Sequence, residues 1–156
     1  MNKVSFEQLY MQQLPGFYRL AQSILRHTAD AEDAVQQAVM KAWQRADDLP
    51  PGKEKPYLAR IVINECRNIQ RRRMRVFPVE LPPAVQDMPP DYQDLYDAIF
   101  RLPEKLRLPL MLKYLQDCSE KEGAEALGIS VTAFKARLHR ARTELRKTLD
   151  REVMFE

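Results

Sequence analysis

Along the chain, apolar residues recur at i, i+3 and i+4 rather than at alternate positions, which is the period of helices with one buried face. Ala31, Ala34, Val35, Ala38, Val39, Ala42 and Trp43 keep that spacing and predict a helix from Asp30 to Ala46. Asp30 is expected as its N-cap, with Glu32 and Asp33 in the positive first turn. Upstream, Ser5 is expected to cap a helix carrying Phe6, Leu9 and Tyr10, and Pro15 to open a new first turn. Phe17, Leu20, Ala21, Ile24 and Leu25 continue the apolar stripe. Pro50-Pro51-Gly52 cannot continue a helix, so a loop is predicted over residues 47–55. Pro56 then starts a helix whose inner side holds Leu58, Val62, Cys66 and Ile69.

In the second half, Tyr92, Leu95, Ile99 and Phe100 mark one helix, which Pro103 breaks. Leu106, Leu110, Met111 and Tyr114 mark the next. Ser119 followed by Glu122 is a capping-box pattern. Its helix runs through Ala124, Ala126 and Leu127 to Gly128, the residue type that ends helices with positive φ. Ser130 can then cap a final helix reaching Lys147, with Phe134, Leu138, Ala141 and Leu145 on its buried side. The remaining tail, residues 150–156, is expected to be a frayed end. A short capped helix, a Leu-Gly-Ile turn and a basic second helix spell helix-turn-helix. Such a second helix lies in the major groove with its N-terminal residues nearest the bases. This points to Val131, Thr132, Ala133, Lys135 and Ala136 for bases or neighbouring phosphates, and to Arg137, Arg140 and Arg142 for phosphate.

Charge sharpens this picture through its distribution more than its total. The chain has 156 residues and a net charge of +3. Residues 1–75 carry thirteen Lys/Arg against eight Asp/Glu, whereas 76–92 carry three acids and no base. From Ser130 to Lys147, six bases face the single Glu144. Two basic segments flanking an acidic stretch with five prolines indicate nucleic acid. On the helix after Pro56, steps of about 100° per residue place Arg60, Asn64, Arg67, Asn68, Arg71 and Arg75 on one arc. A solvated face mixes Glu with Lys. This one is cationic with amides between, and asparagine is a mediocre helix former. Arginine to phosphate and amide to base edge is the chemistry that fits.

Other function classes find little material. The two cysteines, Cys66 and Cys118, lie in different halves without CxxC spacing, so buried structural thiols are expected rather than a disulfide framework. Only two histidines are present, and there is no Gly-rich phosphate loop or nucleophile elbow. No catalytic residue, metal or cofactor is assigned. Glu32 and Asp33 diverge by about 100° as helix neighbours and make a poor metal pair. No apolar run approaches the ~20 residues of a membrane span, and no signal peptide is visible at the N-terminus. Membrane insertion is therefore not expected and a cytoplasmic location is.

Asp30-Ala31-Glu32-Asp33-Ala34-Val35-Gln36-Gln37-Ala38, followed by Lys41-Ala42-Trp43, resembles region 2 of the extracytoplasmic-function sigma factors of bacterial RNA polymerase. Leu127-Gly128-Ile129-Ser130-Val131, followed by Lys135-Ala136-Arg137-Leu138-His139-Arg140-Ala141-Arg142, is similar to their region 4. The resemblance implies that the Asp30–Ala46 helix docks on the clamp helices of the polymerase β′ subunit through Glu32, Asp33, Gln36, Gln37 and Lys41. It implies that the Pro-Pro-Gly loop receives a base flipped from the minus-ten element. Lys53, Lys55, Arg60, Asn64, Arg67, Asn68, Arg71 and Arg72 would then contact the minus-ten strand. Ser130, Val131, Thr132, Ala133, Lys135, Ala136, Arg137, Arg140 and Arg142 would serve the minus-thirty-five duplex. The β flap of core polymerase and an anti-sigma factor are further implied partners, the latter also able to hold the protein at the membrane. Tyr57-Leu58-Ala59 departs from the family's Trp-Leu-Tyr. Gly123 replaces an apolar residue, which weakens its helix by about 1 kcal/mol.

The expected architecture is all-α, in two small domains. Region 2 occupies residues 1–75, a Pro-rich linker 76–91, and region 4 residues 92–156. The expected function is that of an alternative sigma factor which binds core polymerase, recognises both promoter elements and helps melt the DNA. The alternative is a stand-alone helix-turn-helix regulator, which would bind a two-fold symmetric operator without polymerase.

Overall fold

The computed structural model describes residues 3–73 and 93–155, which form seven α-helices and a 3₁₀ turn with no strand among them. The expected linker at 76–91 lies outside the described residues. In the first half, α1 (Lys3–Leu25), α2 (Thr28–Gln44) and α3 (Glu54–Arg73) pack around one another, with the 3₁₀ turn Ala46–Asp48 closing α2. In the second half, α4 (Gln93–Arg101), α5 (Glu104–Tyr114) and α6 (Glu120–Leu127) surround the start of the long α7 (Val131–Phe155). Most of the apolar positions read from the sequence are buried: Phe6, Phe17, Leu20, Val35, Leu58, Val62, Met111, Phe134 and Leu138 are almost fully enclosed, whereas Leu95, Ile99 and Phe100 are half-buried and Tyr114 is exposed. The core is continuous from one half to the other.

Four local expectations are corrected. Pro15 does not open a new helix; it lies inside a single α1. The hydrogen bond its ring removes is outweighed by Phe6 and Phe17, one on each side of it and both buried in the same core. Ser5 accordingly falls within α1 rather than at its cap. The N-cap of α2 is His27, whose Nδ1 accepts from the Asp30 backbone N–H at 3.3 Å. Arg26 adopts φ 54° and turns the chain abruptly, so the cap falls earlier than Asp30. Asp30 instead pairs with Arg73 Nε at 2.8 Å, joining the start of α2 to the end of α3. Finally, α7 runs on to Phe155, past Lys147 where the final helix was expected to end.

The helix-turn-helix forms as its residues dictate. Ser119 and Glu122 make the reciprocal capping box, and Gly128 ends α6 at φ 68°, a conformation that favours glycine. Ser130 Oγ accepts from the Ala133 backbone N–H at 3.0 Å and starts α7. Gly123 proves to be a packing requirement. A Cβ there would lie 2.4 Å from the Phe134 ring, so only glycine lets α6 sit against the aromatic centre of this half.

The two halves meet along two seams. On one, Arg26 donates to the Phe100 carbonyl. The buried Arg107 donates to Phe100 and Leu102 carbonyls at 3.2 and 2.8 Å. Burial, and then the nearby Arg26 charge, push the Arg107 guanidinium down to about 10. Gln116 of the second half is fully enclosed beside Gly16 of α1, where any side chain would collide with it. On the other seam, α6 lies against α3 and the loop before it. Lys53 reaches Glu125 at 2.5 Å, and Lys55 donates to the Asp117 carbonyl at 3.0 Å.

Candidate nucleic-acid interfaces

The first candidate face is built by α3. Leu58, Val62, Cys66 and Ile69 are buried, which turns Arg60, Asn64, Arg67 and Arg71 to the opposite, exposed side, with Asn68 half-buried at its edge. Between α2 and α3 this face opens into a cleft of about 1150 Å³, where Lys41 of α2 and Arg45, just past its end, face Tyr57, Arg60, Asn64 and Asn68. The amides are not equivalent. Asn68 Oδ1 accepts from Arg71, while Asn64 has no hydrogen-bond partner among the described residues. The structure therefore presents one amide free and one already held. Arg72 lies around the helix, lining a second cleft of about 1000 Å³ with Asp33 and Gln37. Lys53 and Lys55 stand on the loop side and are engaged by the second half.

The second face is on α2. Glu32, Asp33, Gln36, Gln37 and Lys41 are all exposed. Lys41 stands apart from the others because its ammonium is paired with Glu65 of α3. Met40, 58 % exposed, rises from the same helix beside a small apolar hollow lined by Phe6, Tyr10, Val39 and Trp43. Trp43 packs edge-on against Phe6 with ring centres 5.4 Å apart. Periodicity could not single out Met40, because it falls between the buried stripe and the polar arc.

The third face is α7. Phe134, Leu138 and Ala141 are buried, so Thr132, Ala136 and Arg140 point outward, with Val131 and Lys135 exposed on one flank. Lys135 lies 3.6 Å from Glu120. Ser130 caps the helix, and Ala133 is half-buried. Two of the expected phosphate contacts point elsewhere. Arg137 lines a cavity of about 290 Å³ with Arg67 and Lys105, toward the first half. Arg142 donates from Nε to the Tyr114 hydroxyl at 2.9 Å and lies over that ring at 5.5 Å. His139, unassigned from the sequence, is exposed in the same outward arc as Ala136 and Arg140. The helical angle was the signal that could have found it.

Behind α7 lies an apolar groove of about 790 Å³, formed by Leu95, Ile99, Leu110, Met111 and Leu145 and edged by Arg19, Arg142 and Arg146. Burial pushes both thiols, Cys66 and Cys118, up to about 12. Among the described residues, no group of His, Cys, Asp or Glu is placed to hold a metal, and no helix is long and apolar enough to cross a membrane.

Comparison with known proteins places the two halves of the chain in a family architecture. Residues 9–76 match the model of sigma-70 region 2, and residues 84–145 that of sigma-70 region 4. The RNA polymerase sigma-E factor of Streptomyces avermitilis is 30% identical over 154 residues, covering 94% of this chain and 86% of that one. The ECF RNA polymerase sigma factor SigE of Mycolicibacterium smegmatis is 27% identical across 93% of this chain, which spans 62% of that relative's length. Among solved structures, the Bartonella quintana sigma factor RpoE in complex with the anti-sigma factor NepR superposes with a TM-score of 0.78. It is 29% identical, with 94% of this chain and 97% of that one covered.

Proposed function

Because the chain belongs to the extracytoplasmic-function sigma factors of the sigma-70 family, alternative sigma factors of transcription initiation, we propose that promoter recognition is divided between α3 and α7. Region 2, at about 1–75, binds core polymerase through Glu32, Asp33, Gln36, Gln37 and Lys41 on the β′ clamp, with Met40 as its apolar centre. Its α3 face takes the separated non-template strand of the minus-ten element. Arg60, Arg67, Arg71 and Arg72 follow the backbone with Lys53 and Lys55, while Asn64 and Asn68 meet bases. Region 4, at about 92–156, lays α7 in the major groove of the minus-thirty-five element. Thr132, Ala136, His139 and Arg140 face the DNA, with Val131 and Lys135 at the side. Residues 76–91 join the two, and core polymerase holds them at the promoter spacing.

The observation that carries this reading is the contrast in shape between the faces. The α3 amides border a recess able to receive unstacked bases, and α7 offers a convex basic helix suited to a closed duplex. The polymerase supplies the chemistry. The apolar groove behind α7 suits a partner helix, either from the β flap or from an anti-sigma factor. The packed arrangement, with Lys53 and Lys55 engaged by region 4, is the one an anti-sigma factor would stabilise. It must open for the loop to reach DNA. A cytoplasmic location follows from these partners, and a membrane-anchored anti-sigma factor would hold the chain at that surface.

Run-off transcription with core polymerase tests the reading. Addition of this protein should yield discrete transcripts from a pool of promoter fragments, and Asn64→Ala with Asn68→Ala should abolish them. Retention of a palindromic duplex by the protein alone, with no transcript, would establish the stand-alone regulator instead.

A further inference from the structure

Glu65 is the one acid lining the α2–α3 cleft, which is otherwise bordered by cations, amides and apolar side chains. It is 8 % exposed. One carboxylate oxygen is held by the Lys41 ammonium, and the other has no hydrogen-bond or ion-pair partner among the described residues. A carboxylate here cannot serve the DNA backbone, because it repels phosphate. One of its oxygens is tied to Lys41 on the neighbouring helix. The Glu65 side chain lies between the recess that Tyr57, Ile61 and Asn64 share and the second cleft, with Asp33, Gln37 and Arg72.

We propose that Glu65 is a specificity residue of this cleft, accepting a hydrogen bond from the exocyclic amine of an exposed base and rejecting thymine. This rests on the reading that α3 meets the separated strand. Cytosine, adenine and guanine each present an amine hydrogen to such an acceptor. Thymine offers only an imino N–H between two carbonyl oxygens, which a carboxylate repels. Lys41 is then a positioning residue, since it fixes the acceptor without itself reading the base. Its pairing with Glu65 explains why this one member of the polar α2 surface turns toward α3.

The test is the affinity of reconstituted holoenzyme for fork-junction promoter DNA, with each of the four bases placed in turn at every exposed non-template position. At one position, thymine should bind about tenfold more weakly than cytosine or adenine. Glu65→Gln keeps the shape, removes the charge and adds an N–H donor that can meet a thymine carbonyl. It should cut the thymine penalty to about twofold or less, at that position alone, with the other positions unchanged. Lys41→Gln leaves the acid in place but unpinned; because Lys41 also belongs to the clamp-docking surface, its readout is the ratio between bases at the same position, which should shrink. A simple brace between α2 and α3 predicts something different: both variants would weaken all probes equally and lower the thermal midpoint, with the base profile intact. That result overturns the proposal. Asn64→Ala with Asn68→Ala separates the two levels of inference. If this double variant binds every probe like the unaltered protein, the exposed-strand reading itself fails. If it loses binding while Glu65→Gln leaves the base profile unchanged, only the role of Glu65 fails.

Discussion

Both α3 and α7 are basic amphipathic helices, yet α3 borders a cleft while α7 presents an open outward arc. On α7 the outward residues Thr132, Ala136, His139 and Arg140 make no side-chain hydrogen bond or ion pair among the described residues, and nothing covers them. Around α3, Arg71 is engaged with Asn68, Arg73 with Asp30, Lys53 with Glu125 and Lys55 with the Asp117 carbonyl, whereas Arg60, Arg67 and Arg72 make no side-chain hydrogen bond or ion pair among the described residues. A duplex has a fixed groove, and a rigid convex helix can meet it without rearrangement. A separated strand has no shape of its own, so its reader needs a recess with donors and acceptors set in advance. Prior engagement sets them and, at the loop, also withholds them.

The strongest way to break this contrast is to damage one face alone. Gly123→Leu should gain about 1 kcal/mol of helix propensity and lose more, because its Cβ would stand 2.4 Å from the Phe134 ring in a closed core. A net loss of about 2 kcal/mol is expected, read by thermal unfolding. Binding of an isolated minus-thirty-five duplex should fall, while exposed-strand binding by holoenzyme persists.

A smaller effect sharpens the comparison at the seam. Glu125→Gln removes the acid facing Lys53 across a partly exposed contact. Such pairs contribute about 0–1 kcal/mol, so exposed-strand affinity should rise by about fivefold at most, with duplex binding by α7 unchanged. Titration with labelled single-stranded minus-ten oligonucleotide measures it. A separate, pH-dependent effect concerns the buried thiol in each half. Burial chiefly raises both, with Glu104 adding to Cys66 and Glu122 to Cys118. Their ordinary value is 9.0, and in the fold both stand at about 12. The unfolded chain therefore ionises first. Stability should decline as pH rises past 9 and level off beyond about 12. Denaturant unfolding at pH 8 and pH 10 checks the sign, and neither thiol should react with iodoacetamide in the folded protein at pH 8.

Helix content, both caps of the helix-turn-helix and the buried stripes of α2, α3 and α7 were legible in the sequence, because periodicity and capping act within a few residues of chain. On α4 and α5 the pattern missed, with Ala98 buried instead of Leu95 and Ile99, and with Tyr114 exposed. Pro15 was misread for the same reason. A local breaker was weighed locally, whereas Phe6 and Phe17 keep α1 continuous through core contacts that no short window shows. Gly123 was read as a weakness because the ring it accommodates arrives from α7, eleven residues later. The third-of-a-circle arc on α3 placed Arg60, Asn64 and Arg67 correctly on the exposed side. Glu65 went unnoticed, since its importance lies in Lys41 coming from another helix. Arg137 and Arg142 look like groove residues by composition, but their helical angle turns one toward the first half and ties the other to Tyr114.

The division of labour between the helices is tested most directly by footprinting holoenzyme on a promoter with both elements intact. Permanganate reactivity reports strand separation, and nuclease protection reports upstream duplex contact. Asn64→Ala with Asn68→Ala should keep the minus-thirty-five protection and lose the reactive thymines near minus ten. Arg140→Ala should weaken upstream protection while leaving strand separation intact on complexes that do form. Undiminished thymine reactivity in the double asparagine variant would contradict the assignment of α3 to the opened strand.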